Sequence, residues 1–423
     1  MLRTALYRLF LVGVLLVMHS CIAWRYIGHG TEGIDDFKTF PTDTIHAPKH
    51  SFTFAKAERS VLDTLRLPVE RCKEPLTLRQ MIDTLDSKDP SAGIVVVRND
   101  TILFEHYRGM VAPDSPTTVF SVTKSVTSLL VGMAIDKGYI GSVEDVVTDY
   151  LPELKEAAPE FQRLTIENLL DMRTGLAFSE NYDSNPLSGM ARLHYGRDIQ
   201  RQIRQQTFKV EPDTEFEYNS MATAVLGAVL ERATERRYAD LLEEWVWQPL
   251  GMECYALMNL DDKQHRFAKA YGGLSTTPRD LARFGRLYLH RGAWEGKQLV
   301  SEAWVDRSFS ADRAAANGWY TNSWRTVPGK LNQKGKKQFD NPAELPAVML
   351  AAYEEGHPIE RMQAVQNEDK TWSVRMATEC FFAYGLHGQV VFVDPAKRVI
   401  AVYMGSDRVD YFPTLFYRMS RYL

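Results

Sequence analysis

The sequence contains few cysteines, and their positions exclude two kinds of scaffold. Four of the 423 residues are cysteines, and no two of them have the short spacing that structural zinc sites use. Four is also too few for a fold held together mainly by disulfide bonds. The four residues are Cys21, Cys72, Cys254 and Cys380. The chain therefore has to fold around a hydrophobic core.

The sequence also lacks an excess of charge of either sign. Its 50 Lys and Arg residues and 54 Asp and Glu residues leave a formal net charge of -4. A protein that follows a nucleic-acid backbone needs a basic surface, so we expect no nucleic-acid partner. A His-Glu-x-x-His motif is absent as well, which argues against a metallohydrolase. We expect neither a metal nor a cofactor.

The composition departs from that of an average globular protein only at the N-terminus. Apolar residues fill Leu9 to Met18 and Cys21 to Trp24, after the basic Arg3 and Arg8. This pattern predicts that residues 1–24 are a signal peptide or a membrane anchor and that the rest of the chain is exported to the periplasmic side of the bacterial cell envelope. Met18-His19-Ser20-Cys21 is loosely similar to a lipoprotein cleavage site. Cleavage, lipidation and retention stay open as alternatives.

Strand patterns at both ends of the remaining chain predict a single sheet. Gly93 to Val97 and Thr101 to Tyr107 have the pattern of a hairpin, and Val390 to Val393 and Val399 to Met404 form a second pair of strands. Between them the patterns are mainly helical, most clearly over Val119 to Lys137. We therefore predict an α/β (α+β) fold, in which an antiparallel sheet from both chain ends is flanked by helices and carries an inserted, mainly helical domain.

The same patterns divide the chain into regions. Residues 25–75 are rich in Gly, Pro, Thr and charge without a sustained period, and we interpret them as an extended lead-in. Residues 76–423 form the folded domain, with its helical part at about 140–270. The charged stretch at about 327–370 contains proline and has the composition of an insertion or a lid.

Ser121-Val122-Thr123-Lys124 begins the most strongly predicted helix. Residues three apart share a helix face, so the Lys124 amine can reach the Ser121 hydroxyl, and a desolvated lysine can accept its proton. The helix N-terminus favours the anion that forms when a serine attacks a carbonyl. In the alternative interpretation, Ser121 only caps the helix and Lys124 is solvated.

Two further motifs have the chemistry that such a serine needs. Tyr218 and Ser220 precede the predicted helix Met221 to Ala233, and a tyrosine beside a lysine can relay a proton. Tyr384 to Gln389 lies at the start of a C-terminal strand, where small residues admit a substrate and a backbone N-H can stabilise an oxyanion. Taken singly, each motif also has a structural explanation, as packing or as a tight turn.

In this order, the three motifs resemble those of the serine β-lactamase and penicillin-binding-protein superfamily, in the branch with class C β-lactamases, D-alanyl-D-alanine peptidases and esterases. The sequence is most similar to the aminohexanoate-dimer (nylon oligomer) hydrolases and related esterases, because it has Tyr-x-Ser for Tyr-x-Asn and Gly-x-His-Gly-Gln for Lys-Thr-Gly. Glu180-Asn181-Tyr182 resembles a loop that borders the substrate in that group. The resemblance runs from about Ile94 to the end, except for about 327–370.

The resemblance implies a role for each matching residue. Its implied catalytic residues are the nucleophile Ser121, its base Lys124 and the proton shuttle Tyr218. Its implied oxyanion and substrate-binding residues are Ser121 and Leu386 through their backbone N-H groups, Ser220 as a partner of Lys124, His387 and Tyr182.

The resemblance thus predicts an exported serine hydrolase that cleaves a small ester, amide or peptide-like substrate through an acyl-enzyme on Ser121. Loss of the Lys-Thr-Gly cation argues against β-lactam specificity. Two alternatives stay open: β-lactamase or penicillin-binding activity, and a non-catalytic ligand-binding module of the same fold. An α/β-hydrolase is disfavoured because Gly273-Leu274-Ser275-Thr276-Thr277 lacks the final glycine of Gly-x-Ser-x-Gly.

Overall fold

The computed structural model describes residues 32–69, 72–85, 90–182, 185, 188–331, 338–406 and 411–423. The predicted export segment, residues 1–24, lies outside these ranges, and so does Cys21. Within the ranges, no helix combines the length and the hydropathy needed to cross a bilayer.

The described residues form fifteen strands and twelve α-helices, labelled here in chain order. The strands are β1 Thr42–Ile45, β2 Ala55–Lys56, β3 Ala92–Arg98, β4 Thr101–Arg108, β5 Thr117–Thr118, β6 Ala256–Asn259, β7 Leu274–Thr276, β8 Ala293–Trp294, β9 Lys297–Gln298, β10 Tyr320–Thr321, β11 Trp324–Lys330, β12 Met362–Gln366, β13 Trp372–Gly385, β14 Gln389–Asp394 and β15 Val399–Gly405. The helices are α1 Leu78–Asp83, α2 Val122–Asp136, α3 Ile166–Leu170, α4 Gly189–Tyr195, α5 Ile199–Arg204, α6 Ser220–Thr234, α7 Tyr238–Leu242, α8 Pro278–Leu289, α9 Glu302–Ser308, α10 Ala311–Ala316, α11 Leu345–Glu354 and α12 Phe412–Ser420.

The large sheet is built from both ends of the chain, which confirms the predicted fold. Its strand order is β10-β11-β13-β14-β15-β3-β4-β2, and β12 also pairs with β13. All of its pairings are antiparallel except that of β2 with β4. The C-terminal β15 meets the N-terminal β3, with Val402 opposite Val95. Asn99 and Asp100 connect β3 to β4 with positive φ angles of 49° and 59°, which suits a tight hairpin turn.

Helices cover both faces of this sheet. Val391 and Val393 of β14 point into the core that contains α2, α6 and α8. Val390 and Phe392 point to the opposite side, where α1 and α12 pack. Because successive residues of a strand face opposite sides, burial of both faces makes β14 and β15 apolar at nearly every position.

A smaller sheet has the order β1-β6-β7-β5 and includes part of the predicted lead-in, residues 25–75. Within this sheet β1 pairs along its whole length with β6, and Ile45 is fully buried. The burial pattern of such a short strand covers too few residues for a period to be visible in the sequence. In the same sheet β5 pairs with β7, which anchors the chain immediately before Ser121.

The two regions assigned within the domain differ in structure. Residues 140–270 hold the helices α3 to α7 together with β6. The predicted insertion holds α11 and β12, and Leu345, Val348 and Met362 pack with Val374 in a small core of their own. Since β12 pairs with β13, the second half of the insertion extends the large sheet. The division into domains itself stays a prediction.

Candidate active site

The backbone before Ser121 takes an unusual conformation. Phe120 has φ = 47°, a left-handed value that is uncommon for a residue other than glycine and is found where surrounding structure holds the chain in place. The next residue, Ser121, stands directly before α2, and its hydroxyl makes no capping hydrogen bond with that helix. The alternative in which Ser121 only caps the helix is therefore wrong.

Lys124 lies on the first turn of α2 and is only 1% exposed. Its Nζ atom lies 2.9 Å from Ser121 Oγ, 2.9 Å from Ser220 Oγ and 2.8 Å from the backbone oxygen of Tyr271. No carboxylate of the described residues forms an ion pair with it, so burial penalises its charged form. Burial lowers the pKa of Lys124 to about 8, with the charge of Arg325 acting in the same direction and that of Glu180 against it.

Tyr218 lies over this lysine, with its ring centre 5.0 Å from Lys124 Nζ. Burial raises the pKa of the Tyr218 hydroxyl above its ordinary value, and the nearby carboxylate of Glu180 raises it further. The charge of Arg325 and a side-chain hydrogen bond with Ser121 act in the opposite direction on this pKa. Tyr218 therefore keeps its proton near neutral pH.

Glu180 connects Ser220 to the exposed side of the site. Ser220 donates to this carboxylate twice, from its backbone N-H to Oε2 at 2.8 Å and from its hydroxyl to Oε1 at 2.6 Å. The Tyr182 hydroxyl donates to the same Oε1 at 2.7 Å. The Tyr182 side chain is large and 46% exposed, so the residue stands between the buried network and solvent.

The end of β13 passes close to the nucleophile. A Cβ atom on Gly385 would lie 2.4 Å from the Val119 backbone oxygen and 3.2 Å from the Ser121 backbone nitrogen, so only glycine fits without a shift. Leu386 follows directly and packs against the core that contains α2. This approach places the Gly385 backbone beside the Ser121 backbone nitrogen, and a second oxyanion donor is needed near that N-H group.

His387 takes a different position from the one expected of a substrate-binding side chain. Its Nε2 atom lies 2.9 Å from the backbone oxygen of Glu32, and its ring packs edge-on against Phe120 at 5.3 Å. With φ = 60° and ψ = 15°, it turns the chain from β13 into β14. Its described contacts are therefore those of a turn residue beside the nucleophile, and its predicted binding role stays a prediction.

The structure brings together most of the residues that the sequence predicted for the site. Ser121, Lys124, Tyr218 and Ser220 form one connected cluster, and Tyr182 joins it through Glu180. Three contributors carry no clear signal in the sequence: the Glu180 carboxylate, the Tyr271 carbonyl and the Arg325 guanidinium. Glu180 belongs to the loop that resembles a substrate-bordering loop, while Tyr271 and Arg325 lie outside the three motifs. In the described part of the chain, no group of three His, Cys, Asp or Glu residues has the arrangement of a metal site.

Sequence comparisons show which known proteins this chain is similar to. Residues 78–419 match the family model described as Beta-lactamase. The chain is 32% identical over 251 residues to the 6-aminohexanoate-dimer hydrolase of Paenarthrobacter ureafaciens, and the match covers 54% of this chain and 62% of that protein. It is 25% identical over 215 residues to protein flp of Staphylococcus aureus (strain COL), covering 47% of this chain and 42% of that protein. The matches thus span less than two thirds of either relative.

Superpositions on solved structures cover more of this chain than the sequence matches do. A Bacillus anthracis protein provisionally described as a 6-aminohexanoate-dimer hydrolase superposes with a TM-score of 0.70 at 20% identity, covering 95% of this chain and 94% of that one. EstCE1, described as a hydrolase with promiscuous acyltransferase activity, superposes with a TM-score of 0.53 at 17% identity. That match covers 81% of this chain and 96% of EstCE1. At these identities the structures establish a shared fold.

Proposed function

The chain belongs to the beta-lactamase family, and from that membership we propose that it is a serine hydrolase that cleaves an ester or amide bond through an acyl-enzyme on Ser121. The observation that carries the proposal is the 2.9 Å contact between the Ser121 hydroxyl and the buried Lys124 amine at the start of α2. A lysine with a pKa of about 8 is a base whose proton affinity suits a reaction near neutral pH.

In the first half of the reaction, Ser121 Oγ forms a bond to the carbonyl carbon of the substrate. Its proton passes to Lys124 Nζ, and the carbonyl electron pair moves onto oxygen. The backbone N-H groups of Ser121 and Leu386 stabilise that oxyanion, because α2 begins at Ser121 and Gly385 brings the strand end close to it. Collapse of the oxyanion breaks the bond to the leaving group.

The leaving oxygen or nitrogen needs a proton as that bond breaks. The Tyr218 ring lies over Lys124, and Ser121 acts on the pKa of its hydroxyl, so we assign to this hydroxyl the transfer of a proton from the Lys124 ammonium to the leaving group. Water then attacks the acyl carbon, its proton is taken up by the same groups, and the Ser121 oxygen leaves with a proton. The enzyme returns to its starting state.

Small carboxylic esters or amides are the substrate class that the relatives favour. One relative is named for a 6-aminohexanoate dimer and one fold neighbour is called a hydrolase with acyltransferase activity. The half-exposed Tyr182 beside the buried network suits a substrate that reaches Ser121 from solvent. The same substrate class is proposed for this chain.

Covalent labelling tests the proposal directly. A fluorophosphonate should label one peptide, the one that contains Ser121, and Ser121→Ala should lose both the label and the hydrolysis of p-nitrophenyl butyrate. The matched control is Ser51→Ala, since Ser51 is exposed and far from α2 in sequence. Wild-type hydrolysis by Ser121→Ala would overturn the nucleophile assignment.

We also propose that the enzyme acts outside the cytoplasm, as the apolar segment after Arg3 and Arg8 predicts. The full-length protein should fractionate with the cell envelope, and a chain that starts near Gly33 should be active in solution. Recovery of the full-length protein from the cytosol without detergent would contradict this.

A further inference from the structure

Glu180 is placed to control the direction of the hydrogen bonds around Lys124. Its carboxylate accepts the Ser220 hydroxyl proton at 2.6 Å, and Ser220 Oγ in turn lies 2.9 Å from Lys124 Nζ. A carboxylate accepts hydrogen bonds and a serine hydroxyl has one proton to give. The Ser220 hydroxyl therefore donates its proton to Glu180. Towards Lys124, the Ser220 oxygen can only accept a hydrogen bond.

Counting donors and acceptors in the same way assigns the other two hydrogen bonds of Lys124. The backbone oxygen of Tyr271, 2.8 Å from Nζ, can only accept as well. A neutral amine has two protons and one lone pair. With both protons committed to Ser220 and Tyr271, the lone pair is left for the third neighbour, which is Ser121 Oγ at 2.9 Å.

We propose that Glu180 is a positioning residue, which orients the Ser220 hydroxyl so that the lone pair of neutral Lys124 faces the Ser121 proton. Without the carboxylate, the Ser220 hydroxyl can turn its proton towards Lys124 and occupy the lone pair that Ser121 needs. This inference rests on the proposed function and assigns to that site a residue that never touches the reacting atoms.

The charge of Glu180 has a second, opposing effect that makes the inference testable. Two full charges face Lys124: the Glu180 carboxylate raises its pKa and the Arg325 guanidinium lowers it. Among the described residues, the other titratable groups that face it are Tyr218 and Tyr271, with ring centres 5.0 Å and 5.9 Å from Nζ. Removing the Glu180 charge therefore makes Lys124 easier to deprotonate while it removes the orientation of the base.

Glu180→Gln separates these two effects. The amide nitrogen of Gln has to face one of the two Ser220 donors, so the hydroxyl loses its fixed direction while the side-chain shape is kept. We expect kcat for p-nitrophenyl butyrate to fall about tenfold to a hundredfold, because losing the orientation of the base removes part of the roughly hundredfold to ten-thousandfold that general base catalysis contributes. The acid limb of the pH profile of kcat/KM should at the same time move to lower pH. A variant that only disturbs the packing of the site has no reason to move the acid limb to lower pH.

The control is Glu156→Gln, an exposed glutamate in a separate segment, which should match the wild type in both measurements. Thermal unfolding of each variant checks that it folds. Wild-type kcat with an unshifted acid limb in Glu180→Gln would overturn the inference.

A double-mutant cycle tests whether Glu180 acts through Ser220. Glu180→Ala and Ser220→Ala should each slow fluorophosphonate labelling, and the double variant should be no slower than the slower single variant. Full additivity would overturn the inference. Failure of the wild type to be labelled at Ser121 would instead overturn the proposed function, so the two failures are distinguishable.

Discussion

The guanidinium carbon of Arg325 lies 5.1 Å from the centre of the Tyr218 ring. The same carbon lies 5.1 Å from the ring of Tyr320, so the guanidinium is held between two aromatic side chains at the edge of the site. Its positive charge lowers the pKa of Lys124 and opposes the rise in the pKa of Tyr218. The first effect favours the neutral amine that Lys124 needs as a base. The second makes the Tyr218 hydroxyl a better proton donor, as a proton shuttle needs.

Arg325→Gln should therefore move the acid limb of kcat/KM to higher pH. The wild-type limb is expected near the Lys124 pKa of about 8, because activity requires the neutral amine. Without the guanidinium, the pKa of Lys124 is higher, so the acid limb moves to higher pH. Arg325→Lys should lie closer to the wild type because it keeps the charge, and Arg59→Gln, at an exposed position, is the control. An unshifted limb in Arg325→Gln would contradict the electrostatic role.

The shift expected for Arg325→Gln is opposite in sign to that for Glu180→Gln. General destabilisation of the site cannot produce two opposite shifts. Measuring the two profiles together therefore tests the electrostatic description of Lys124 more strictly than either variant alone.

The contact between Ser121 and Lys124 could be predicted from sequence because it depends only on helical geometry. Residues at i and i+3 meet on any helix, and the apolar residues Val122, Val126 and Leu129 have helical spacing in the sequence. Tyr218 and Ser220 could be placed because the motif order matched a known family. The strands of the large sheet were recognisable because each is a run of buried apolar residues.

The contacts of Glu180, Tyr271 and Arg325 could not be predicted in the same way. Glu180 reaches Ser220 across 40 residues, and Lys124 reaches the Tyr271 carbonyl across 147 residues. Which loop comes to the site is decided by tertiary packing, and a backbone carbonyl has no side-chain signature. Strand β1 was missed for a related reason, since its partner β6 is distant in sequence and four residues are too few to show a period.

Gly385→Ala should reduce activity strongly without unfolding the protein. The added methyl group would lie 2.4 Å from the Val119 backbone oxygen, so the end of β13 has to move away from Ser121. Loss of one oxyanion donor costs on the order of a hundredfold to a thousandfold in kcat. Gly329→Ala is the matched control, because a Cβ atom there meets its nearest neighbour at an ordinary 3.4 Å. Equal activities of the two variants would contradict the assignment of this strand end to the oxyanion hole.

Lys124→Met should abolish hydrolysis and change how stability depends on pH. The folded-state pKa of Lys124, about 8, lies below its ordinary value of 10.5, so between these values the unfolded chain binds more protons than the folded one. Stability contributed by this group therefore rises with pH across that window. Relative to Lys124→Met, the wild type should gain free energy of unfolding from about pH 8 to about pH 10.5.

Urea unfolding at several pH values measures this difference. The exposed Lys155→Met is the control and should follow the wild type across the window. A constant difference between wild type and Lys124→Met would show that burial does not lower the lysine pKa.

The enzyme should hydrolyse p-nitrophenyl butyrate with a higher kcat/KM than nitrocefin. Relatives that act on β-lactams hold the substrate carboxylate with the lysine of Lys-Thr-Gly, whereas this chain has Gly385-Leu386-His387-Gly388 at that strand end. A charge-assisted hydrogen bond contributes about 1.5 to 3 kcal/mol, which is roughly a tenfold to hundredfold preference. The described contacts of the His387 ring are with the backbone oxygen of Glu32 and with Phe120. If nitrocefin were the better substrate, Arg325 would be the cation to examine, and Arg325→Gln should then lose nitrocefin turnover much more than ester turnover.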